Sequence, residues 1–244
     1  MTEIPKWYES WFDSPYYHIL YKDRDHDEAE LFIKKLIDHL GLQTNSKVID
    51  LGCGKGRHSL FLAENRMDVL GIDLSEQSIN EAKESSQENL KFKVGDMRDP
   101  LGQNQFDAVF NLFTSFGYFD DSKDDLSVIS NVADSLRLGG IFVQDFLNKN
   151  WVENTLIPLQ TVNRHDIEFQ IERKIEGNHV IKSIKFEDGG KEYNFTEDVK
   201  LLDLNDFKEM YQKSGLDIQN IYGDYNLSEY IAESSPRLII VSKK

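Results

Sequence analysis

The ten residues VIDLGCGKGR at 48–57 constrain the fold of this chain more than any other segment, because they join a strand, a glycine turn and a helix start without a spacer. Lys47 to Leu51 reads as a short strand, and Gly52, Gly54 and Gly56 follow at every second position. Glycine permits positive φ and lets a backbone approach a ligand closely, and the free amides at a helix start can receive an anion or a polar tail. A tight strand-to-helix turn with no ligand accounts for the glycines alone equally well, so residues elsewhere must decide.

The same strand-then-helix rhythm extends on both sides of the loop. Upstream, Ala29, Phe32, Ile33, Leu36, Ile37 and Leu40 recur at helical spacing over 27–40, with Gly41 as a stop. Downstream, the pattern predicts a helix at 57–65, a strand at 67–72, a helix from the cap Ser75 to about 86, and strands at 91–94 and 107–112. A helix at 122–137 with Leu126, Ile129, Val132, Ala133 and Leu136 on one face then stops at Gly139-Gly140, before a strand at 141–146. Short apolar strands alternating with helices imply a parallel sheet covered on both faces.

Between 160 and 200 the period becomes two. Ile167, Phe169, Ile171 and Ile175 alternate with Asp166, Glu168, Gln170, Glu172 and Lys174, and turns at Glu176-Gly177-Asn178 and Asp188-Gly189-Gly190 separate three strands. The expectation is a three-stranded antiparallel sheet with an acidic wet face. Its other face, with Val180, Ile184, Phe186, Tyr193 and Phe195 added, is too apolar to stand bare on a monomer, so it roofs a pocket or pairs two subunits. Asp203 caps a last helix to Ser214, and strands near 217–222 and 237–242 close the chain. The organisation expected is an N-terminal aromatic segment and helix (1–44), a core (45–150 and 201–244) and an inserted sheet (151–200).

Three acids bear on what the glycine loop holds. Asp73 lies 21 residues past Gly52 at the end of the second predicted strand, where a carboxylate can accept both hydroxyls of a ribose. Asp96-Met97 follows the third strand, offering a carboxylate to an exocyclic amine and a thioether to a ring face. Asp50 precedes the first glycine by two residues. Each acid alone would read as a solvated strand end.

Charge and cysteine usage narrow the partners. Lys plus Arg number 28 against 43 Asp plus Glu, a net charge of −15 that opposes a phosphate backbone, so nucleic acid is not expected. Cys53 is the only cysteine, which excludes an intrachain disulfide and suits a reducing compartment. No His and Asn or Asp constellation activates it, and no histidines or paired carboxylates stand at metal-ligand spacing, so no metal is expected. The first twenty residues carry acids and tyrosines where a leader would be apolar, and no run approaches a membrane span, so a cytoplasmic protein, monomer or homodimer, is expected.

A dinucleotide fold would prefer G-x-G-x-x-G, and here the third glycine comes one residue early at Gly56. Together with Asp50, Asp73 and Asp96-Met97, that spacing resembles the class I S-adenosylmethionine-dependent methyltransferases from about residue 45 to the C-terminus. The chain is similar to a bacterial small-molecule-type subgroup in GCGKGRHS (52–59), FDAVFNLFTSFGYF (106–119), Leu136 with Gly139-Gly140, Ser235-Pro236-Arg237 and the inserted sheet. Leu138 stands where the commoner family form has Pro, a departure within a turn.

The resemblance implies a Rossmann-like seven-stranded sheet, S-adenosyl-L-methionine as cofactor, and methyl transfer to nitrogen or oxygen of a small molecule. It assigns Gly52, Gly54, Asn111 and Leu112 to the methionine moiety, Asp73 to the ribose and Asp96 with Met97 to the adenine; Asp50, Cys53, Gly56 and Leu74 complete the set. Two other readings stay open: a NAD-dependent oxidoreductase, and a non-catalytic methyltransferase-like binding or scaffold protein.

Trp7, Tyr8, Trp11, Phe12, Tyr16, Tyr17 and Tyr21 crowd the stretch from Trp7 to Arg24 in a chain that is 11% aromatic. In similar enzymes this segment folds over the cofactor; its rings would favour a sulfonium cation, and Arg24 the methionine carboxylate. Simple packing of the N-terminal helix accounts for the rings as well. Thr114 to Tyr118 follow the fourth strand, at the edge where parallel sheets hold ligands. The expected substrate-facing residues are Tyr17, Tyr21, Ser115, Phe116 and Tyr118. An amine acceptor needs no base, whereas a hydroxyl would need a neighbour such as Tyr or His, leaving Tyr118 as the one catalytic candidate. His58 either bonds backbone or lines the site.

Overall fold

The structure, a computed structural model, describes residues 6–22 and 26–244, with backbone alone for 26–28. Arg24 lies outside the described residues. Two short helices, α1 (Trp7–Phe12) and α2 (Pro15–Leu20), precede the long α3 (His26–Leu40). Then come β1 (Lys47–Leu51), α4 (Arg57–Glu64), β2 (Asp68–Asp73), α5 (Glu76–Ala82), β3 (Leu90–Val94), β4 (Phe106–Asn111), α6 (Ser122–Ser135) and β5 (Leu136–Leu147). After α7 (Lys149–Thr155), β6 (Leu159–Arg164), β7 (Ile167–Glu176), β8 (His179–Asp188) and β9 (Lys191–Lys200) form a second sheet. The chain finishes with α8 (Leu204–Ser214), β10 (Asp217–Tyr222) and β11 (Arg237–Lys243).

The main sheet has seven strands in the order β10-β11-β5-β4-β1-β2-β3. Its five central and edge strands from β5 to β3 run parallel, while β11 is antiparallel to both β5 and β10. Alternate residues of each strand feed two separate cores. Val48, Ala108, Phe110 and Val143 point to the side covered by Phe32 and Leu36 of α3, Leu62 of α4 and Ile79 of α5. Ile49, Leu51, Val109 and Phe142 point to the side covered by Val128 and Val132 of α6 and Phe207 and Tyr211 of α8. Full burial of each such side chain contributes about 1.5–3 kcal/mol, so two-sided cover fixes the register.

Two boundaries differ from the sequence reading. β5 begins at Leu136 and carries Gly139-Gly140 inside it, because Phe106 pairs with Leu136 while Ala108 pairs with Ile141, and the extra residues bulge between those pairs. The second sheet has four strands, its outermost being β6, which pairs with β7 from Leu159↔Glu172 to Arg164↔Ile167. LQTVNR is mostly polar, and only Val162 and Arg164 are partly buried, so no clear alternation announces it.

The apolar face of the second sheet is covered from within the chain. Trp11 and Leu20, from α1 and α2, pack fully buried against Ile167, Phe169, Ile171, Ile184 and Phe186. Asp166, Glu168 and Glu172 stand exposed on the other face, as the alternation predicts. The sheet is anchored to the main core where Lys200, at the end of β9, pairs with the buried Asp125 of α6.

Candidate active site

The strand order reverses between β1, which neighbours both β2 and β4, and the crevice beyond that reversal is where open parallel sheets bind ligands. A cavity of about 1100 Å³ lies there, between the C-terminal strand ends and the second sheet. Its floor is Gly52, Cys53, Gly54 and Gly56 after β1, Asp73 and Leu74 after β2, Asp96 and Met97 after β3, and Leu112 to Ser115 after β4. Trp7, Tyr8, Phe12, Tyr17 and Tyr21 from the N-terminal helices line one side, and Arg173, Lys182 and Glu197 of the second sheet line the roof.

Within the loop the glycines do different work. Gly52 has φ +78, and a Cβ there would lie 2.6 Å from that of Ser115, so glycine is what lets the β1 and β4 loops close on each other. Gly54, at φ +54, would place a Cβ within 4 Å of nothing, leaving room beside its backbone at the cavity wall. Gly56 is the N-cap of α4.

Asp73 ties the loop to the second strand: Gly54 N donates to Oδ2 at 2.8 Å, and Ser75 N to Oδ1 at 2.9 Å. Burial pushes its pKa up, against the backbone amides of Ser75, Gly54 and Leu74 that favour the carboxylate. Asp13, between α1 and α2, accepts from Ser75 Oγ at 2.7 Å and Gln77 N at 3.0 Å. The N-terminal segment is thereby latched to the start of α5, beside Asp73. For Asp96, burial opposes ionisation, but the guanidinium of Arg98 holds it below the usual carboxylate range.

Three sequence-predicted residues are not brought to the cavity wall. Asp50 stands fully buried behind the loop, where Ser59 Oγ donates to it at 2.6 Å. Asn111 is buried, and its amide donates to the Leu51 and Ser115 carbonyls, both at 2.9 Å, bracing the strand ends from beneath. Phe116 is wholly buried among Phe146 and Phe207, because the residue after Ser115 turns back into the core. The remaining described candidates, Gly52, Cys53, Gly54, Gly56, Asp73, Leu74, Asp96, Met97, Leu112, Tyr17, Tyr21, Ser115 and Tyr118, all line the cavity. The Cys53 thiol is buried, and burial raises its pKa well above the ordinary value, which disfavours the thiolate. His58 lines the cavity with its ring 4.8 Å from that of Phe113.

Sequence reasoning missed two groups of lining residues. The first is Phe113, just before the Thr114 to Tyr118 stretch that the sequence places at the ligand edge; Phe113 and Thr114 both hold positive φ, 56° and 64°, a conformation non-glycine residues adopt only under external constraint. The constraint is Asp145, fully buried, which accepts from Phe113 N at 2.8 Å and Arg237 Nε at 2.7 Å, while Arg237 Nη2 donates to Thr114 Oγ1 at 2.9 Å. Trp151, Val152 and Thr155 of α7 and the roof residues Arg173, Lys182 and Glu197 form the second group. The only trace of the three roof residues in the sequence is charge at positions where the alternation calls for apolar residues.

Among the described residues no group of three or more His, Cys, Asp or Glu could hold a metal ion, and no helix is long and apolar enough to cross a membrane.

Comparison with known proteins agrees with this geometry. A family profile described as a methyltransferase domain matches residues 42–215. The chain is 27% identical over 214 residues to the putative methyltransferase YqeM of Bacillus subtilis, covering 83% of this chain and 86% of that one. It is 25% identical over 193 residues to the dTDP-3-amino-3,4,6-trideoxy-alpha-D-glucopyranose N,N-dimethyltransferase of Streptomyces venezuelae, covering 73% and 78%. In fold it is similar to an S-adenosylmethionine-dependent methyltransferase from Clostridium acetobutylicum, with a TM-score of 0.79, 19% identity and 93% and 95% of the two chains covered.

Proposed function

The chain belongs to the S-adenosylmethionine-dependent methyltransferases, and on that premise we propose that it moves a methyl group onto a small-molecule acceptor held between the parallel sheet and its antiparallel roof. It is an enzyme, and its cofactor is S-adenosyl-L-methionine. The acceptor class is the further step. The observation that carries it is the cavity of about 1100 Å³, which continues from the strand ends to a roof contributed by the same chain and so has room for a small acceptor beside a cofactor.

The residues present fit the cofactor. Gly54 leaves open space beside its backbone, Asp73 offers carboxylate lone pairs at the end of β2, and Leu74, Met97 and Leu112 supply apolar surface for a ring or chain. We assign Gly52, Cys53, Gly54, Gly56 and Leu112 to the methionine side, Asp73 and Leu74 to the ribose, and Asp96 with Met97 to the adenine. When bound, the cofactor supplies an electrophilic methyl on a sulfonium. The protein's share is to aim a nucleophile along that bond and exclude water; orientation alone can lower a barrier by ~7–11 kcal/mol. Trp7, Tyr8, Phe12, Tyr17 and Tyr21 close the cavity on one side, and their rings suit a cationic centre.

A small acceptor is favoured over nucleic acid by the net charge of −15 and by the exposed acids of the roof's outer face. The similarity to an enzyme named for an amino sugar points the same way. The roof's apolar face is covered by α1 and α2, so a monomer suffices. The single buried cysteine suits the cytoplasm.

Two measurements test this reading. S-adenosylmethionine at a hundredfold excess over its Kd should stabilise the protein by about 2.7 kcal/mol, and NAD should not. Radiolabelled methyl should pass from the cofactor into a low-mass metabolite extract and not into total RNA at ~0.15 M salt. Cofactor-dependent label in RNA would overturn the small-molecule assignment.

A further inference from the structure

No residue of α7 is buried, so this helix does not owe its position to a core. Its side chains and those of the turn after it meet the cavity instead: Trp151, Val152, Leu156 and Ile157 line it, together with Val180 of β8. Among the described residues these five belong to none of the three apolar cores and to none of the partly buried sets packed on them. Trp151 is 38% exposed and Ile157 59%, and three of the nine exposed large apolar side chains among the described residues fall between 151 and 159. Exposed apolar residues scattered singly need no explanation, whereas a cluster on the wall of a cavity marks a binding surface.

The segment is fixed at both ends. At its start the buried Asn148 caps α7 by accepting from Asn150 N at 3.2 Å, while its amide donates to the Ala232 and Ser235 carbonyls at 2.9 and 2.7 Å. At its end Arg173 N donates to the Pro158 carbonyl at 2.7 Å and Arg173 Nη2 to Gln160 Oε1 at 2.9 Å. These bonds hold the backbone on either side of 151–157, so the apolar side chains are presented to the cavity instead of folding back onto a core.

Trp151 also differs from the other two tryptophans. Trp7 lies edge-on to Tyr8, Phe12 and Tyr118, and Trp11 to Tyr17, whereas the Trp151 indole meets no other aromatic ring among the described residues. A flat apolar face left on a cavity wall is complementary to a flat apolar ring, because covering it releases water and aromatic faces gain contact beyond the area they bury. The floor of the same cavity offers backbone and carboxylates. An acceptor seated there would turn its polar, reacting end to the floor and its apolar end to α7.

We propose that Trp151, with Val152, Leu156, Ile157 and Val180, forms a subsite for an uncharged apolar ring on the methyl acceptor. The proposal rests on the methyltransferase reading with a small acceptor and adds the part of the acceptor by which it is recognised.

The test uses the full chain loaded with S-adenosylmethionine and two fluorinated probes followed by 19F line width, 4-fluorobenzyl alcohol as the apolar ring and 2-deoxy-2-fluoroglucose as the polar one. Saturable binding of the alcohol and none of the sugar is expected. Trp151→Ser should weaken that binding at least about fivefold, and Trp151→Phe, which keeps a ring, by less than about twofold, with cofactor affinity by calorimetry within about twofold in both. Because α7 has no buried residue, the serine variant should keep its fold and its melting temperature. Sugar binding alone, or equal binding of the alcohol in wild type and Trp151→Ser, would overturn the subsite while leaving the methyltransferase reading intact. A dimer seen by sedimentation and dissociated by Trp151→Ser would overturn it too, since a second copy would then cover these residues. In a companion assay the metabolite extract is split on a reversed-phase column before reaction. Methyl label accepted by the retained fraction supports the subsite, and label accepted by the flow-through alone overturns it. Label in RNA, with alcohol binding lost only in Trp151→Ser, would sink the small-acceptor reading instead.

Discussion

The floor and the roof of the cavity differ in what they present to it. The floor presents backbone and strand-end carboxylates, from Gly52–Gly56, Asp73, Asp96 and Leu112–Ser115, all at consecutive C-terminal ends of parallel strands. The roof presents long side chains, Arg173, Lys182 and Glu197, from antiparallel strands joined by tight turns. A parallel sheet converges loops on one edge whatever their side chains are, so it suits a cofactor recognised by invariant chemistry. An antiparallel face can change any inward residue without disturbing the ladder, so it suits the component that differs from one enzyme to the next.

If floor and roof are separable in this way, the joint between them should be energetically heavy. Lys200 and Asp125 make that joint, with side chains 10% and 2% exposed, and Lys200 N also donates to the Gly117 carbonyl at 2.9 Å. Lys200→Ala leaves a buried carboxylate without its cation, and removal of one partner of such a pair costs about 3–5 kcal/mol. Urea unfolding should register that loss, and the double variant Lys200→Met with Asp125→Leu should recover most of it. A Lys200→Ala protein as stable as wild type would mean the roof is held by the helices α1 and α2 alone.

On the floor, the largest effect should come from a residue that never touches the cavity. Burial raises Asp50 from the ordinary 3.8 to about 6, partly opposed by the Ser59 hydrogen bond. The folded protein therefore holds this proton more tightly than the unfolded chain. That contribution is complete below pH ~4 and is lost as pH rises through about 6; a shift near two units corresponds to about 2–3 kcal/mol. Asp50→Asn should remove the decline, so its stability relative to wild type should improve by about that much between pH 4 and pH 8. Parallel pH profiles for the two proteins would show that Asp50 ionises freely.

The two regions were not equally legible. Gly52, Gly54, Asp73, Asp96 and Met97 could be found in the sequence because each sits at a fixed offset from a strand end, and the strand announces itself by its apolar run. Asp50 and Asn111 were read as ligand contacts because the same offsets cannot distinguish a side chain aimed into the cleft from one aimed beneath it; alternation along β1 and β4 decides that only once the register is known. Phe116 failed for a similar reason, since a loop carries no period. The roof residues Arg173, Lys182 and Glu197 were illegible because they come from three strands that only the pairing of β7, β8 and β9 brings together. The strand β6 was missed because its exposed, polar residues need no alternation at a sheet edge.

A smaller effect separates the cofactor side from the roof directly. Asp73→Ala removes a carboxylate that accepts from Gly54 N and Ser75 N and that we assign to the ribose, and charged hydrogen bonds contribute roughly 1.5–3 kcal/mol each. Cofactor Kd by calorimetry should rise at least about tenfold. Hydrogen exchange over β7 to β9 should not change, because the amides that bond this carboxylate lie in the glycine loop and just before α5. Unchanged affinity in a folded variant would make Asp73 a structural tie for the glycine loop and nothing more.

The smallest effect is expected at Tyr118, and it bears on whether the floor or the bound acceptor supplies the chemistry. Its ring lies between the N-terminal segment and the β4 loop, with centroids 5.2 Å from Trp7, 5.4 Å from Phe12 and 6.2 Å from Tyr8, the last stacked. Its hydroxyl donates to the Thr114 carbonyl, one turn back, which directs the proton at backbone and away from an acceptor's nucleophile. A phenol engaged as a donor to a carbonyl is poorly disposed to take a proton, whereas the ring fills space that would otherwise admit water. Tyr118→Phe keeps the ring and removes one neutral hydrogen bond, worth about 0.5–1.5 kcal/mol. Methyl transfer into the low-mass extract should therefore stay within about threefold of wild type, and the pH dependence of the rate should keep its shape. Loss of a general base would instead cost ~10²–10⁴-fold. A hundredfold drop in a folded Tyr118→Phe protein with unchanged cofactor affinity would make the hydroxyl catalytic and imply an acceptor, such as an alcohol, that arrives carrying the proton to be removed.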